Sequence, residues 1–388
     1  MNKKVLIIFK YPRGNWNPAI ISKFSNFYET DYLYLSDFKD KNFENVISEI
    51  NKVIDKKKID ITVFDVDYFK FTNFFFIEKI ICKKKILITG DDFDLHEMNS
   101  ITASACDLVL SACPLSVLKY KEKGYESYFI SFEPGKINEN SNSKNIDVLF
   151  FGALSEDRKE ILKYISEQGI SLKNVGHEEG DFGLDEKELF KLISKSKIVL
   201  NLSKSRSKSV KSFTSESIFN YNYHFKGRII MAGLNGAACV SEYSPGQELF
   251  FNNQQLPSFY TKEECVTILK KMLSDEQILS KYTNQFVSRS KELYEDKKNF
   301  HPIFDAIENS NHKKITLRQI PYWYLRIAVK HIILRNISLI NLHKTIFQLR
   351  HVFMIIRKTK LIFKFLILFE SIINILWYSF VYTVKSKK

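Results

Sequence analysis

A chain of 388 residues, 45% hydrophobic and 26% charged, is too long for one ordinary core and too apolar for disorder; it suits two domains and an added segment. Its 8 Pro and 13 Gly are too few for a loop-rich or fibrous protein, and its net charge is +14. Five cysteines (Cys82, Cys106, Cys113, Cys239 and Cys265) include no CxxC pair, which excludes a disulfide framework and a Cys-pair zinc site. They read as buried apolar side chains in a reducing compartment.

The first elements alternate. Val5–Phe9 is an apolar run too short for a signal peptide and closed by Lys10, Pro12 and Arg13, so it reads as a strand of a cytoplasmic protein, followed by a loop. Tyr32–Leu35 is a second strand. Phe43, Val46, Ile47, Ile50 and Ile54 carry helical spacing. Ile61–Phe64 predicts a strand, Phe74–Ile81 a helix, and Ile86–Thr89 and Asp107–Ser111 two more strands. A helix at Leu115–Lys123 and a strand at Tyr128–Ser131 follow. Short apolar strands between helices mean a parallel sheet covered on both faces.

The polar run KINENSNSK, residues 136–144, reads as a linker. The pattern then restarts: strand Val148–Phe151, helix Arg158–Gln168, strand Leu172–Val175, helix Asp185–Ser194, strand Ile198–Leu202, helix Gly227–Asn235 and strand Ala238–Ser241. The expected class is α/β, with two Rossmann-like doubly wound domains and a basic, apolar C-terminal helical tail. The expected bounds are 1–135 for the first domain, 136–144 for the linker, 145–312 for the second domain and 313–388 for the tail.

The charge is not spread evenly. Residues 313–388 hold fifteen Lys and Arg against one acid, Glu370, so they carry the whole excess and residues 1–312 are neutral. This argues against a nucleic-acid partner, which would draw basic groups to a cleft, and points to an anionic membrane surface. Leu339, Leu342, Ile346, Leu349, Phe353 and Ile356 share one helix face, beside a basic stripe of His343, Arg350, Arg357 and Lys364. Residues 361–384 are nearly all apolar and carry Trp377, Tyr378 and Tyr382. An in-plane interfacial helix, a spanning helix and a partner-binding helix all fit; Glu370 near the middle counts against spanning.

Three segments carry candidate chemistry. The acidic run GDDFDLHE, Gly90 to Glu97, follows a strand; Asp92, Asp94 and His96 suit a base for an acceptor hydroxyl, a metal cluster or a helix-capping loop. Glu133, in SFEPG, stands at the next strand end. IDVLFFGALSEDRKEIL, Ile146 to Leu162, runs from a strand through Gly152 into a helix. Gly152 permits close backbone approach, the helix N-terminus suits a diphosphate, and Arg158 adds a fork of donors; an ordinary turn capped by Ser155 fits as well. FKGRIIMAGLNGAACVSEYSPGQELF, Phe225 to Phe250, opens with Lys226 and Arg228, then passes Gly236 to reach Glu242, Tyr243 and the turn at Pro245–Gly246. A basic Ser-rich run, Lys204–Ser217, lies between them and reads as a loop.

Taken in order, DVLFFGALSEDR, SKIVLNL (Ser196 to Leu202) and FKGRIIMAGLNGAACVSEYSPG resemble the C-terminal domain of GT-B glycosyltransferases of the group-one or family-four clan, nearest the spore-maturation-protein-like branch. The resemblance implies a nucleotide diphosphate sugar as donor. Gly152 and Arg158 would lie by the phosphates, Lys226 and Arg228 by the diphosphate or sugar, and Glu242, Tyr243 and Gly246 by the nucleoside. It implies no cofactor and no metal. The chain departs from the pattern at Met231, where the family carries a ribose-binding Glu, and at Tyr223, where the wider clan has an acid.

The expected function is transfer of a sugar to a lipid-linked or membrane glycan acceptor in surface polysaccharide or lipopolysaccharide assembly, by an enzyme peripheral to the inner face of the cell membrane. The rival is a non-catalytic relative acting as a scaffold or sugar-binding protein.

Overall fold

The computed structural model describes residues 3–12, 16–38, 41–66, 72–90, 92–131, 143–177, 184–204, 223–295, 297–309 and 320–325, with 328, 365–367, 369 and 372–373. Glu133, most of the 136–144 linker, the run after Lys204 and the tail residues Leu339 to Ile356 and Trp377 to Tyr382 lie outside them. The chain divides into two compact units. One comprises Met1–Ser111, Val117–Tyr128 and Asn311–Lys388; the other comprises Ala112–Ser116 and Phe129–Ser310.

The first unit is built on a six-stranded sheet: β1 (Lys4–Phe9), β2 (Glu29–Tyr34), β3 (Ile61–Val66), β4 (Lys84–Thr89), β5 (Leu108–Ser111) and β6 (Ser127–Phe129), in the order β2-β1-β3-β4-β5-β6. β1 pairs in parallel with β2 and β3, and β4 with β3 and β5. The inner strands are buried on both faces, so they read as apolar runs; Val5 to Phe9 are at most 1% exposed, whereas β2 at the sheet edge stays partly exposed. Asn42 caps helix Phe43–Lys57 by accepting the Asn45 N–H, and the five apolar residues with helical spacing are its buried face.

Two helices stand where the sequence suggested loops. Trp16–Ser25 buries Ile20 and Phe24, one turn apart, and Asp92–Ala103 starts inside the acidic run. The Phe74–Lys79 helix stops two residues short of expectation, where Ile80 turns extended. The C-terminal segment contributes to this unit's core: Ile320, Tyr324, Leu325, Ala328 and Ile367 are buried among its residues. The Tyr324 hydroxyl accepts the Phe74 N–H at 2.8 Å and lies 2.9 Å from Thr102 Oγ1.

The second unit repeats the plan with β7 (Ile146–Ala153), β8 (Leu172–His177), β9 (Ser196–Asn201), β10 (Ala238–Glu242) and β11 (Ser258–Phe259), ordered β11-β10-β9-β7-β8, all parallel. Counted from its own first strand this is 2-1-3-4-5, the same order as the first five strands of the other sheet. Each sheet therefore reverses direction beside its first strand; in the second unit the reversal falls between β7 and β9, with Leu149 opposite Val199. Ligands of open α/β sheets bind at such reversals, beyond the carboxyl ends of the strands.

Helices Glu156–Glu167, Glu186–Ser194 and Gly227–Leu234 cover the sheet. Helices Lys262–Ser274, Glu276–Glu295 and Lys297–Asn309, which the sequence reading did not name, complete the unit. Gly233 has no side chain because Ser290 occupies the space; a Cβ there would lie 2.1 Å from Ser290 Oγ. Gly236 ends its helix at φ +76°, and the Ala237 N–H returns to the Ala232 carbonyl.

Candidate functional site

The carboxyl ends of β7, β9 and β10 converge with the start of the Gly227–Leu234 helix. Ser155 caps the Glu156–Glu167 helix by accepting the Arg158 N–H, so the local turn expected as the plain alternative is present. The Arg158 side chain turns back to the sheet. Its Nη1 donates to the Ala153 carbonyl at 2.6 Å, and its Nη2 to the carbonyls of Leu202 (3.3 Å) and Lys204 (2.6 Å). A guanidinium has a fixed planar fork, and here that fork ties the end of β7 to the end of β9 at the point of reversal. Arg158 is 4% exposed. Its charge lies at that reversal, while its Nη1 and Nη2 donors serve the backbone.

Arg228 is different. Its guanidinium lies over the rings of Phe150 and Phe151, 5.5 and 5.6 Å from their centroids. Its Nη1 is buried with no hydrogen-bond partner among the described residues. It presses against Gly152, where φ is +112° and a Cβ would stand 2.5 Å from Arg228 Nη2. Glycine is required there twice, by the backbone angle and by the approach of the cation. Burial, with Arg158 alongside, pulls the Arg228 guanidinium down to about 9, still cationic at neutral pH.

Lys226 stands at the cap position of the same helix, and its Nζ lies 2.8 Å from Nδ1 of His224. His224 is buried, and its backbone N–H donates to the Ser203 carbonyl. Burial first, then Lys226, Arg228 and Arg158, push the imidazole well below its ordinary range, so it is neutral and accepts from the lysine through Nδ1. His224 was not singled out by the sequence reading; a His two residues before the cap lysine is the only local signal for it. Among the strand ends, Glu242 is 5% exposed, and its Oε2 accepts the Lys204 N–H at 2.8 Å. Burial raises its carboxyl. Lys204 Nζ pairs with Asp157 at 2.6 Å.

The remaining candidates of this unit lie at the same edge. Tyr243 follows β10, and its ring sits 4.9 Å from that of Tyr260, which is 69% exposed beyond β11. Gly246, at φ +90°, begins the short 3-10 turn Gln247–Leu249. Met231 packs partly buried against the apolar cluster of Phe151, Phe225 and Ile229. The structure thus brings Gly152, Arg158, Lys226, Arg228, Glu242, Tyr243 and Gly246 to one edge of one sheet. A cluster of cations at a helix N-terminus, with one guanidinium nitrogen unsatisfied among the described residues, suits an anion such as a diphosphate.

The acidic run of the first unit gives another picture. Asp92 is fully buried and central to a network: Oδ2 accepts from Thr89 Oγ1 (2.9 Å) and Ser111 Oγ (2.8 Å), and Oδ1 from Asn99 Nδ2 (3.0 Å) and the Tyr120 hydroxyl (2.9 Å). A carboxylate offers about four acceptor positions, and all are taken, which leaves none for an acceptor hydroxyl. His96 is 2% exposed, its ring 4.5 Å from that of Tyr120. Asp94 lies on the same helix, and its side chain is outside the described residues. The base expected at Asp92 is instead a knot joining β4, β5 and two helices. Among the described residues no group of three or more His, Cys, Asp or Glu is placed to hold a metal ion.

The chain has the GT-B fold: two parallel α/β units, similar to Anabaena HepE solved with UDP and glucose (TM-score 0.54, 10% identity, covering 79% of this chain and 100% of that one). It is similar also to the sucrose-phosphate synthase of Thermosynechococcus elongatus (0.51, 8%, 79% and 98%). A third likeness is a putative UDP-N-acetylglucosamine 2-epimerase from Listeria monocytogenes (0.50, 12%, 82% and 100%), so the fold alone does not choose a reaction. The family described as glycosyl transferase-like matches residues 156–295, which include Arg158, Lys226, Arg228 and Glu242. No curated protein matches the sequence.

Proposed function

We propose that the chain is a glycosyltransferase of the group-one clan that takes a sugar from a nucleotide diphosphate sugar and passes it to a membrane-linked glycan acceptor in surface polysaccharide or lipopolysaccharide assembly. The observation that carries this reading is the buried Nη1 of Arg228 against Gly152 at the reversal of the second sheet. Glycosyl transfer leaves negative charge on the departing nucleoside diphosphate. Arg228 and Lys226 would hold that charge without a metal ion or cofactor, and Arg228, packed on Gly152, Phe150 and Phe151, is fixed before the ligand arrives, which is where electrostatic catalysis gains most. Tyr243 and the turn at Gly246 would border the nucleoside, with Glu242 beside them. The glycosyl transferase-like match over the same residues supports transfer over epimerisation.

The membrane part of the proposal rests on the tail. Ile367 is buried in the first unit's core, whereas Phe365, Leu366, Phe369, Ile372 and Ile373 are 41–66% exposed. An exposed apolar surface in the segment that carries the whole charge excess matches an anionic lipid interface on the cytoplasmic side. Among the described residues no helix is long and apolar enough to cross a membrane.

Calorimetry of the full chain against UDP-, GDP-, dTDP- and ADP-sugars tests the donor site. Micromolar binding of one, lost in Arg228→Ala, is expected. A second reading is favoured by one observation, Met231 packing against the apolar cluster where the family's ribose-binding acid would stand: a non-catalytic scaffold or sugar-binding relative. A folded protein that binds none of the panel would establish that reading in place of the first.

A further inference from the structure

The Lys226–His224 contact is an unusual pairing for a site that must hold an anion. The lysine is the residue placed to meet a phosphate, yet its ammonium leans on a neutral imidazole 2.8 Å away. The imidazole is buried, and positive groups face it: Lys226 at the helix cap, Arg228 two residues further along, and Arg158 from the Glu156–Glu167 helix. The neighbouring strand ends bring Lys204 and Glu242, which are engaged with Asp157 and with the Lys204 N–H respectively. Nδ1 of His224 is therefore held unprotonated by its surroundings and serves as a resting place for the lysine.

A diphosphate leaves the burial in place and opposes the charges. Two negative charges beside Arg228 and Lys226 would draw the ammonium away from Nδ1, vacate that lone pair, and offset the field that repels a proton there. Resting on the donor-site reading above, we infer that His224 is the proton-linked positioning residue of this site: when a nucleotide diphosphate sugar binds, Lys226 passes from His224 Nδ1 to the phosphate oxygens, and Nδ1 takes a proton from solvent. The charged imidazole then stands behind the lysine as a further positive group toward the departing diphosphate. The bookkeeping is simple: one N–H bond forms at Nδ1, one proton leaves bulk water, and no other bond changes.

The sign of the consequence is fixed. The bound form holds more protons than the free form, so affinity is greatest at low pH and falls as pH rises through the value His224 takes in the complex, at up to about tenfold per pH unit. A nucleotide sugar is the right probe because its diphosphate is a diester with no ionisation near neutrality, so any proton taken up enters the protein.

The experiment is calorimetry of the full chain with the binding member of the nucleotide-sugar panel, in buffers of differing ionisation enthalpy, from pH 5.5 to 8. The wild-type protein should take up a substantial fraction of a proton. His224→Asn keeps an acceptor at the Nδ1 position but has no titrating group, so it should bind with no uptake and a flat pH profile. In parallel, the His224 ring resonance of the wild-type protein should be insensitive to pH over this range when free and titrate when bound, a readout independent of how well the variant folds. Binding without uptake, equal uptake in His224→Asn, or a ring that titrates alike in both states overturns the inference and leaves the donor site standing. No binding by any nucleotide sugar removes the donor site and the inference together.

Discussion

The two units share one strand order and differ in what they place at the carboxyl ends of their strands. In the second, those ends carry cations: Arg158 bridging β7 and β9, then Lys226 and Arg228 at a helix start, with one guanidinium nitrogen unsatisfied among the described residues. In the first, the ends of β4 and β5, beyond that sheet's own reversal between β1 and β3, carry an anion, Asp92, satisfied by four neutral donors and sealed from solvent. The difference teaches that one doubly wound plan can close its strand ends with a satisfied charge in one place and leave a charge unsatisfied in another.

Four changes break or sharpen that contrast. Gly152→Val should have the largest effect: it forces a side chain into φ +112° and onto Arg228, and nucleotide-sugar affinity in calorimetry should fall by about 100-fold or more. Asp92→Ala should act on stability alone, orphaning buried hydroxyls at Thr89, Ser111 and Tyr120 and costing about 3 kcal/mol in denaturant unfolding. Nucleotide affinity of the folded fraction should stay unchanged, and loss of affinity would refute the division of roles. Tyr324→Phe removes the hydroxyl that joins the C-terminal segment to Phe74 and Thr102, and should cost about 1–2 kcal/mol by the same assay.

The smallest effect concerns pH. Burial lowers Lys144 to about 8 while its Nζ donates to the Gly236 carbonyl. Its folded value lies below its unfolded one, so the folded state binds fewer protons between about 8 and 10.5, and this group makes stability rise with pH across that window. Lys144→Met should flatten the rise in thermal unfolding scans.

Much of this was legible before any coordinates. Apolar runs of strand length between segments of helical spacing determined two parallel α/β units, because strands buried on both faces leave a continuous hydrophobic signature. The ordered segments around Gly152, Ser196–Leu202 and Lys226–Gly246 pointed to the sheet edge where the cations gather. Helix Trp16–Ser25 and the three helices from Lys262 to Asn309 were not read, since propensity in such segments is a weak guide until the surface they cover is known. Charge on Asp92 and Arg158 was visible in the sequence; its use was not. Asp92 is absorbed by residues up to 28 positions away, and Arg158 by carbonyls 44 and 46 positions away. Composition and periodicity determined what this chain buries and where its charge lies. Only the tertiary structure decided which charges are already satisfied, because hydrogen-bond partners are chosen by distance in space, and the folded backbone alone sets that distance.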